Sequence, residues 1–402
     1  MESEIRYLCN EFDEVLIVAT AIHATPIPTR QLPPNAISVA LSRPSGKKKF
    51  LWGIAQGMRY AHKDLFEEIK NYPSTKKALA ALYDYGRYQT IYHDTHKIIE
   101  DFVGTITLET HIVFYSYWFV ETAQIATVLR NQVRKLGGQA EAITRAHGFD
   151  LYKERSMAKH FPFRTTTLRA LDAVYPCSQN GTEYLQKGYS DFGSKIVTEY
   201  LGTAEHGANG KKRINDFCLV TCSSLVAVKR VDLLLKALAI CEKQCECPPF
   251  LWVCIGDGPQ RKQLETSVHR QLRHTRVQFL GNMENMKVID WYSQNYIDLF
   301  INVSESEGLP VSIMEAQSFG IPVLATDVGG TAEIIHSGEN GQLLPKELTS
   351  EQLAQEIISF MKLPKEKIKQ LRKNSREIWQ RKFSAEKNYE QFAKLLCESE
   401  ME

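Results

Sequence analysis

The second half of the chain alternates two kinds of segment. Short apolar runs without polar alternation are typical of parallel strands buried on both faces. These runs lie at 217–222, 250–255, 277–280, 299–303 and 322–326. Segments between them repeat apolar residues every three to four positions, which indicates helices. These segments lie near 231–241, 259–271, 287–293 and 310–319. The alternation predicts an α/β domain with a doubly wound parallel sheet.

The first half shows the same alternation with more interruption. Its predicted strands lie near 15–20, 37–41, 112–115, 142–145, 173–176 and 195–200. A long helical insertion, about 49–102, separates the second strand from the third. The chain opens on a helix near 4–11, so the strand with which a doubly wound domain usually begins is missing from the pattern.

A polar segment at 203–216 lacks apolar periodicity and is predicted to link two domains. The first domain is predicted over 1–202 and is joined by a C-terminal helix at 386–402. The second is predicted over 217–385. Ligands of open α/β sheets bind at the carboxyl ends of the strands. We therefore expect the two domains to face each other across a cleft that holds the site.

The segment 304–330 contains the residues that say most about a possible ligand site. Pro310 stands where the first residue of a helix is expected, just past a buried strand. The backbone amides of Gly308, Leu309 and Val311 would then lie at a positively polarised helix end, which suits a phosphate.

Two carboxylates flank this helix end. Glu307 and Glu315 are about two helical turns apart, which would place one at the mouth of the site and the other along its side. Carboxylates accept hydrogen bonds from sugar hydroxyls, as do the acids that hold the ribose in dinucleotide sites. The alternative is a pair of exposed helix carboxylates, one of which supports the helix dipole. Spacing alone leaves both interpretations open.

Net charge argues against a nucleic-acid partner, and the length of the apolar runs argues against a membrane-spanning segment. Lys and Arg number 49 against 47 Asp and Glu, a net charge of +2, so no nucleic-acid partner is expected. The longest apolar stretches, 15–22 and 112–120, fall short of the roughly 18 to 20 residues that span a bilayer. The first residues lack a basic region followed by an apolar one, so we expect a cytoplasmic protein.

The run EGLPVSIMEAQSFGIPVLATDVGGTAEII, which begins at Glu307, resembles the donor-binding segment of family 4 glycosyltransferases. The resemblance extends to CSSLVAVKRVDLLLKAL at 222–238, IGDGP at 255–259, FLGNM at 279–283 and TRAHGFDLY at 144–152. It implies the GT-B fold of two Rossmann-like domains and a sugar transfer that retains anomeric configuration. The most similar sequences that we recognise build bacterial capsules, exopolysaccharides or lipopolysaccharides.

The resemblance also implies roles for particular residues. Glu307 would contact the donor sugar near its reacting carbon, and Glu315 would bind the ribose hydroxyls. Lys229 would neutralise the leaving diphosphate, and His147 would face the donor sugar. Further donor contacts are implied at Gly256, Asp257, Gly281, Asn282, Met283, Gly308, Leu309, Pro310 and Val311.

One donor contact departs from the family pattern. Ser224 stands where the family commonly has an arginine, and a serine brings a hydrogen bond to a phosphate but no charge. Arg230 is the candidate to replace that charge. The missing first strand is a second departure, and we expect it to weaken turnover.

No Asp-x-Asp pair occurs in the chain, so we expect transfer without a metal and without a cofactor. The stretch 46–52, with Arg59 and Lys63 beyond it, places cations beside aromatic residues. This stretch could dock on an anionic membrane, or it could be a plain basic loop before a helix.

Together these features predict a cytoplasmic glycosyltransferase. If the stretch 46–52 docks on a membrane, the protein would be peripheral at the inner face of that membrane. A UDP-sugar is the expected donor, and a glycan or a polyprenyl-diphosphate-linked glycan is the expected acceptor. Two alternatives stay open. One is a nucleotide-sugar 2-epimerase, and the other is an inactive nucleotide-binding scaffold derived from the same family.

Overall fold

A computed structural model describes residues 3–22, 31–44, 46–70, 72, 74–104, 110–156, 158–207, 216–244 and 249–398. The chain divides into two compact units. The first comprises Met1–Glu199 with Tyr389–Glu402, and the second comprises Tyr200–Asn388. In the part of the chain that is described, no helix is long and apolar enough to cross a membrane.

The first unit holds five strands. They are β1 (Val15–Ile22), β2 (Ala36–Ser42), β3 (His111–Ser116), β4 (Gln139–Ala146) and β5 (Ala173–Pro176). Its helices are α1 (Ile5–Glu11), α2 (Gly46–Arg59), α3 (Lys63–Lys70), α4 (Thr75–Val103), α5 (Glu121–Lys135), α6 (Gly148–Leu151), α7 (Arg164–Ala170) and α8 (Gln179–Gly188).

These strands form two parallel sheets instead of one. β1 pairs with β2, and the second sheet has the order β3-β4-β5. Within the described residues no strand precedes α1, and β1 makes no ladder with β3. The predicted strand near 195–200 is wrong. There Ile196 makes an isolated bridge to Val174, and the amides of Val197 and Glu199 donate to carbonyls of β5, so the segment lies along the sheet edge without forming a ladder.

The helical insertion is held together by close backbone contact. α2 and α4 pack through glycines, and a Cβ added to Gly86 would lie 2.0 Å from the carbonyl oxygen of Gly53. A Cβ on Gly57 would lie equally close, at 2.0 Å, to the carbonyl oxygen of Leu82. Glycine therefore permits a helix separation that no larger residue would allow.

The second unit is built on one six-stranded sheet whose neighbouring strands all run parallel. Its strands are β6 (Phe217–Cys222), β7 (Phe250–Ile255), β8 (Arg276–Gly281), β9 (Leu299–Asn302), β10 (Val323–Thr326) and β11 (Gly341–Leu344), in the spatial order β11-β10-β9-β6-β7-β8. Its helices are α9 (Val231–Gln244), α10 (Arg261–Gln271), α11 (Asn285–Gln294), α12 (Val311–Ser318), α13 (Ser350–Met361) and α14 (Lys365–Lys382), and α15 (Ala385–Glu398) begins there.

Helices bury apolar side chains against this sheet. Leu234, Leu238 and Leu353 join Trp252 and Leu299 in one core, and each is fully buried. The strands expected from uniform apolar runs are thus covered on their faces, as a doubly wound sheet requires.

The segment predicted as a linker is partly inside the second unit. Thr203 is buried, its amide donates to the carbonyl of Phe383, and its hydroxyl accepts from the indole of Trp379 at 2.7 Å. Residues 208–215 of that segment lie outside the described residues. The C-terminal helix α15 continues into the first unit, where Phe392 is buried beneath the guanidinium of Arg145.

Candidate functional site

The carboxyl ends of β9 and β6 bring Lys229 and Glu307 together. Lys229 ends a short 3-10 turn, Ala227–Lys229, on the connection from β6 to α9. Its Nζ lies 2.6 Å from Oε1 of Glu307, which also accepts a hydrogen bond from Nδ2 of Asn302 at 3.1 Å. The Glu307 carboxylate is largely buried, and the Lys229 side chain is about one-fifth exposed. Lys229 has three N–H donors, so its pairing with Glu307 leaves donors for an anion.

α12 begins one residue later than the sequence predicts. Pro310 is the N-cap, with a ψ of 102°, and the helix runs from Val311. Glu307 therefore lies in the loop at the mouth of the helix, and Glu315 lies within the helix. The amides of the first helical turn have no carbonyl one turn earlier, which leaves a positive helix end beside the Lys229–Glu307 pair.

A second loop supports the segment that carries Glu307. Gly329 has a φ of +56°, and a Cβ there would lie 2.1 Å from the carbonyl oxygen of Glu307. The next amide, that of Gly330, donates to the carbonyl of Gly308 at 2.7 Å. The Gly329-Gly330 pair after β10 therefore fixes the backbone of the helix entrance.

Glu315 is buried on α12 and is paired with a residue that sequence reasoning missed. Its Oε1 accepts from Nδ2 of Asn285 at 2.6 Å. Asn285 begins α11 and lies three residues past Asn282 in the loop after β8. Its position two residues past the FLGNM segment was the one available signal.

The loops after β6, β7 and β8 meet at Gly256. This residue has a φ of +122°, and a Cβ there would lie 1.9 Å from the carbonyl oxygen of Ser223. Its amide donates to the carbonyl of Gly281 at 2.8 Å. The carboxylate of Asp257 accepts from the amide of Gly258 at 2.7 Å and pairs with Arg261.

These loops bring the remaining predicted contacts to the same strand ends. Ser224 and Asn282 are exposed there, and Met283 is half-buried. The structure thus places the predicted residues of the second unit along the carboxyl ends of its strands, where open α/β sheets bind ligands.

Arg230 is the exception. It has a φ of +47°, and its guanidinium donates to the carbonyls of Val303 at 2.7 Å, Lys346 at 2.9 Å and Ser304 at 3.3 Å. The sequence offers Arg230 as the candidate for the charge that Ser224 lacks, although an arginine directly after Lys229 would point to another side. In the structure the guanidinium of Arg230 bonds to the segment that follows β9.

His147 belongs to the first unit and follows β4. It is the N-cap of α6, its ring is 9% exposed, and it lies between the rings of Tyr117 and Trp118 with centroid distances of 4.7 and 4.6 Å. Neither ring nitrogen has a hydrogen-bond partner among the described residues. Burial, and secondarily the charge of Arg145, lower the pKa of His147 to about 3, so the ring is neutral near pH 7.

Asp150 holds the backbone around this histidine. Its carboxylate accepts from the amide of His147 at 2.6 Å and from the amide of Phe119 at 2.5 Å. Burial raises the pKa of Asp150 to about 6. The loops that follow β3 and β4 are therefore tied to each other through one buried side chain.

Comparison with known proteins relates part of this chain to glycosyltransferases. Residues 204–378 match the family model described as glycosyl transferases group 1. The GtfA subunit of the UDP-N-acetylglucosamine–peptide N-acetylglucosaminyltransferase of Streptococcus pneumoniae is 25% identical over 190 residues, which is 46% of this chain and 36% of the relative. The chain thus spans about a third of the length of the first curated relatives it matches.

A second relative is covered more fully. WcaL of Escherichia coli K12, a protein named as a colanic acid biosynthesis glycosyltransferase, is 24% identical over 279 residues, which is 67% of this chain and 68% of the relative.

Two solved structures share the fold at low identity. Anabaena Alr3699/HepE, solved with UDP and glucose, has a TM-score of 0.60 at 18% identity and covers 96% of this chain and 100% of its own. Sucrose-phosphate synthase of Thermosynechococcus elongatus has a TM-score of 0.68 at 18% identity and covers 99% of this chain and 92% of its own. The predicted α/β class and the GT-B fold are confirmed, and residues 204–378 of this chain match the group 1 glycosyltransferase family.

Proposed function

We propose that this chain transfers a sugar from a UDP-sugar to a glycan or a polyprenyl-diphosphate-linked glycan in the synthesis of a bacterial surface polysaccharide. The observation that carries the proposal is the Lys229–Glu307 pair, 2.6 Å apart, beside the amino end of α12. A cation, a buried carboxylate and a positive helix end are the groups needed to hold a diphosphate and the sugar attached to it.

The names of the relatives support the donor and the product class. HepE is solved with UDP and glucose, and pneumococcal GtfA is solved with UDP and GlcNAc. WcaL is named for colanic acid biosynthesis. We therefore propose a UDP-sugar donor and a polysaccharide product for this chain.

In the proposed reaction, the acceptor oxygen forms a bond to the anomeric carbon while the bond from that carbon to the diphosphate oxygen breaks. The acceptor proton passes to the leaving diphosphate, and the new bond forms on the same face, with retention. Lys229 and the amides of 308–311 stabilise the charge that grows on the diphosphate. Glu307 orients the donor sugar, and Glu315 with Asn285 orients the ribose hydroxyls.

We propose that the reaction needs no metal and no cofactor. Lys229 and the end of α12 supply positive charge where enzymes of other folds use a divalent ion held by paired aspartates. Asp257, Gly256, Gly281, Asn282 and Met283 complete the donor pocket on this proposal. Ser224 adds a hydroxyl donor but no charge.

For the acceptor side, we propose that α2 makes peripheral contact with an anionic membrane. On α2, Leu51 and Met58 are 69% and 62% exposed and lie on one helical face with the exposed Lys48. Arg59 and Lys63 are exposed beyond it. Apolar residues with flanking cations favour an anionic membrane surface, which on this proposal is the cytoplasmic face.

A thermal-shift and transfer assay with the full chain tests the donor site. A nucleotide-sugar at about 100 times its Kd stabilises a protein by roughly 2.7 kcal/mol. We expect UDP-sugars to raise the Tm of the wild type, Lys229→Ala to lose the rise, and Lys236→Ala to keep it. Lys236 is a matched control because it pairs with Asp232 on the exposed side of α9.

Other outcomes identify the alternatives. Stabilisation by UDP without transfer to any acceptor indicates the scaffold, and interconversion of the free nucleotide-sugar without acceptor indicates the 2-epimerase. Stabilisation of Lys229→Ala equal to that of the wild type contradicts the donor site.

A further inference from the structure

We propose that Trp118 and Phe149 form a stacking surface for a sugar ring of the acceptor. The acceptor is then a glycan with pyranose units, as opposed to a peptide hydroxyl or a lipid phosphate that carries no sugar. This inference rests on the proposed function and specifies its acceptor. The name "aromatic platform" is used below for these two side chains.

The aromatic platform stands at a ligand-binding edge. Trp118 follows β3 and Phe149 follows β4, and these neighbouring strands run parallel, so both residues lie at the carboxyl ends of adjacent strands. Their rings meet edge to face, with centroids 6.1 Å apart. His147 lies under Trp118, with ring centroids 4.6 Å apart.

Both rings are open to solvent although they are large and apolar. Phe149 is 65% exposed and Trp118 is 42% exposed. Paired aromatic rings that a chain exposes at a candidate site mark a binding surface more often than isolated exposed residues do. An indole and a phenyl ring at right angles offer one broad face and one edge to a ring-shaped ligand.

The backbone beneath the platform is held by several hydrogen bonds. The carbonyl of Trp118 accepts from Oγ of Ser116 at 2.7 Å and from the amide of Val120 at 2.9 Å. Asp150, fully buried, joins the amides of Phe119 and His147. A backbone that is already held lowers the entropy cost of ordering on binding, which favours recognition of a rigid ring.

The chemistry around the platform selects a neutral sugar. A pyranose presents C–H groups on its faces, which pack on aromatic rings, and hydroxyls on its rim. The four rings of this surface, those of Tyr117, Trp118, His147 and Phe149, carry no positive charge near pH 7 that would favour a phosphate headgroup.

Alanine variants test the platform in the full-length protein. We expect Trp118→Ala and Phe149→Ala each to raise the acceptor KM about tenfold, as the loss of one aromatic contact predicts. Trp118→Phe should recover most of the loss. The UDP-induced rise in Tm and the slow hydrolysis of donor without acceptor should stay at wild-type values. Phe66→Ala is the matched control, since Phe66 is 63% exposed on α3, away from the strand ends.

Direct binding makes the test independent of turnover. We would measure saturation-transfer NMR of chitotriose, cellotriose and mannotriose with the wild type and with Trp118→Ala. Binding of at least one trisaccharide that the variant loses supports the platform. Binding of none by the wild type overturns it, as does an acceptor KM that both alanine variants leave within twofold of wild type.

The two proposals fail in different ways. If the protein hydrolyses the donor and responds to UDP but the alanine variants keep the wild-type acceptor KM, the aromatic platform is rejected and the proposed function is not. Absence of any UDP response rejects the proposed function. Loss of the UDP response in Trp118→Ala shows that the indole covers the donor, which overturns the acceptor role.

Discussion

At the scale of single residues, the neutral imidazole of His147 limits the chemistry open to it. A buried ring that is flanked by Tyr117 and Trp118 loses the solvation on which its protonated form depends. The ring is therefore neutral near pH 7, and His147 does not enter the reaction as a cation.

We predict that His147 does not titrate between pH 8 and pH 5. Its pKa in the folded chain is about 3, against about 6.5 unfolded. The unfolded chain therefore takes up the proton first as the pH falls. The stability from the neutral ring is full above pH 6.5 and is lost as the pH falls toward 3. NMR of labelled histidines checks this, with the exposed His62 as the control. A His147 signal that titrates near pH 6.5 contradicts the prediction.

Sequence reasoning found most of the candidate residues because they follow strands in short, distinctive segments. Glu307 and Glu315 could be selected in this way, and Lys229 through the resemblance to family 4 glycosyltransferases. Asn285 could not, because its bond to Glu315 joins residues 30 positions apart. The bonds of Arg230 to Val303 and Lys346 were equally hidden, since they depend on where two distant loops pass.

At the scale of elements, the apolar runs predicted the sheet of the second unit well. Buried parallel strands need uniformly apolar runs, and β6, β7 and β9 have them. Two elements show the limit of the pattern. The run near 195–200 is apolar enough for a strand but makes a single bridge. β11 was missed because its sequence, GQLL, is apolar at only its last two positions.

The loop after β10 gives a prediction at this scale. Gly329→Ala forces a Cβ against the carbonyl of Glu307, 2.1 Å away, at a φ of +56°. We expect a destabilisation of about 1–3 kcal/mol and a weaker UDP-induced rise in Tm, because Glu307 must shift. Gly338→Ala is the control, since Gly338 has a φ of +79° but nothing within 4 Å of the added Cβ. Equal effects of the two variants on the UDP response would contradict this account.

At the scale of the whole molecule, the first unit depends on contacts between the two ends of the chain. Arg145 on β4 is fully buried, bonds to Glu4 at 2.9 Å and lies over the ring of Phe392 at 3.9 Å. The sequence predicted that a C-terminal helix joins the first domain, but nothing in it indicated that one arginine contacts both ends. Removing one partner of such a buried ion pair typically costs about 3–5 kcal/mol.

The split sheet of the first unit has a consequence for handling the protein. Edge strands in natural proteins usually carry lysine, proline or a bulge that discourages pairing with other molecules. β1 reads VLIVATAI and β3 reads HIVFYS, with no charged residue except for a histidine at the start of β3. Within the described residues, each makes ladder hydrogen bonds along one side only. A strand side without a ladder partner is where an extended chain from another molecule can add.

We predict that this protein associates with itself as its concentration rises. Light scattering after size exclusion should give a mass near 45.9 kDa at low micromolar concentration and larger species at about 100 µM. An extended apolar peptide should compete with that association, whereas a helical peptide of similar charge should not. A constant monomeric mass over the whole range would mean that both edges are protected in solution. If the mass does grow, purification and assays belong at low concentration, where the open edges rarely meet.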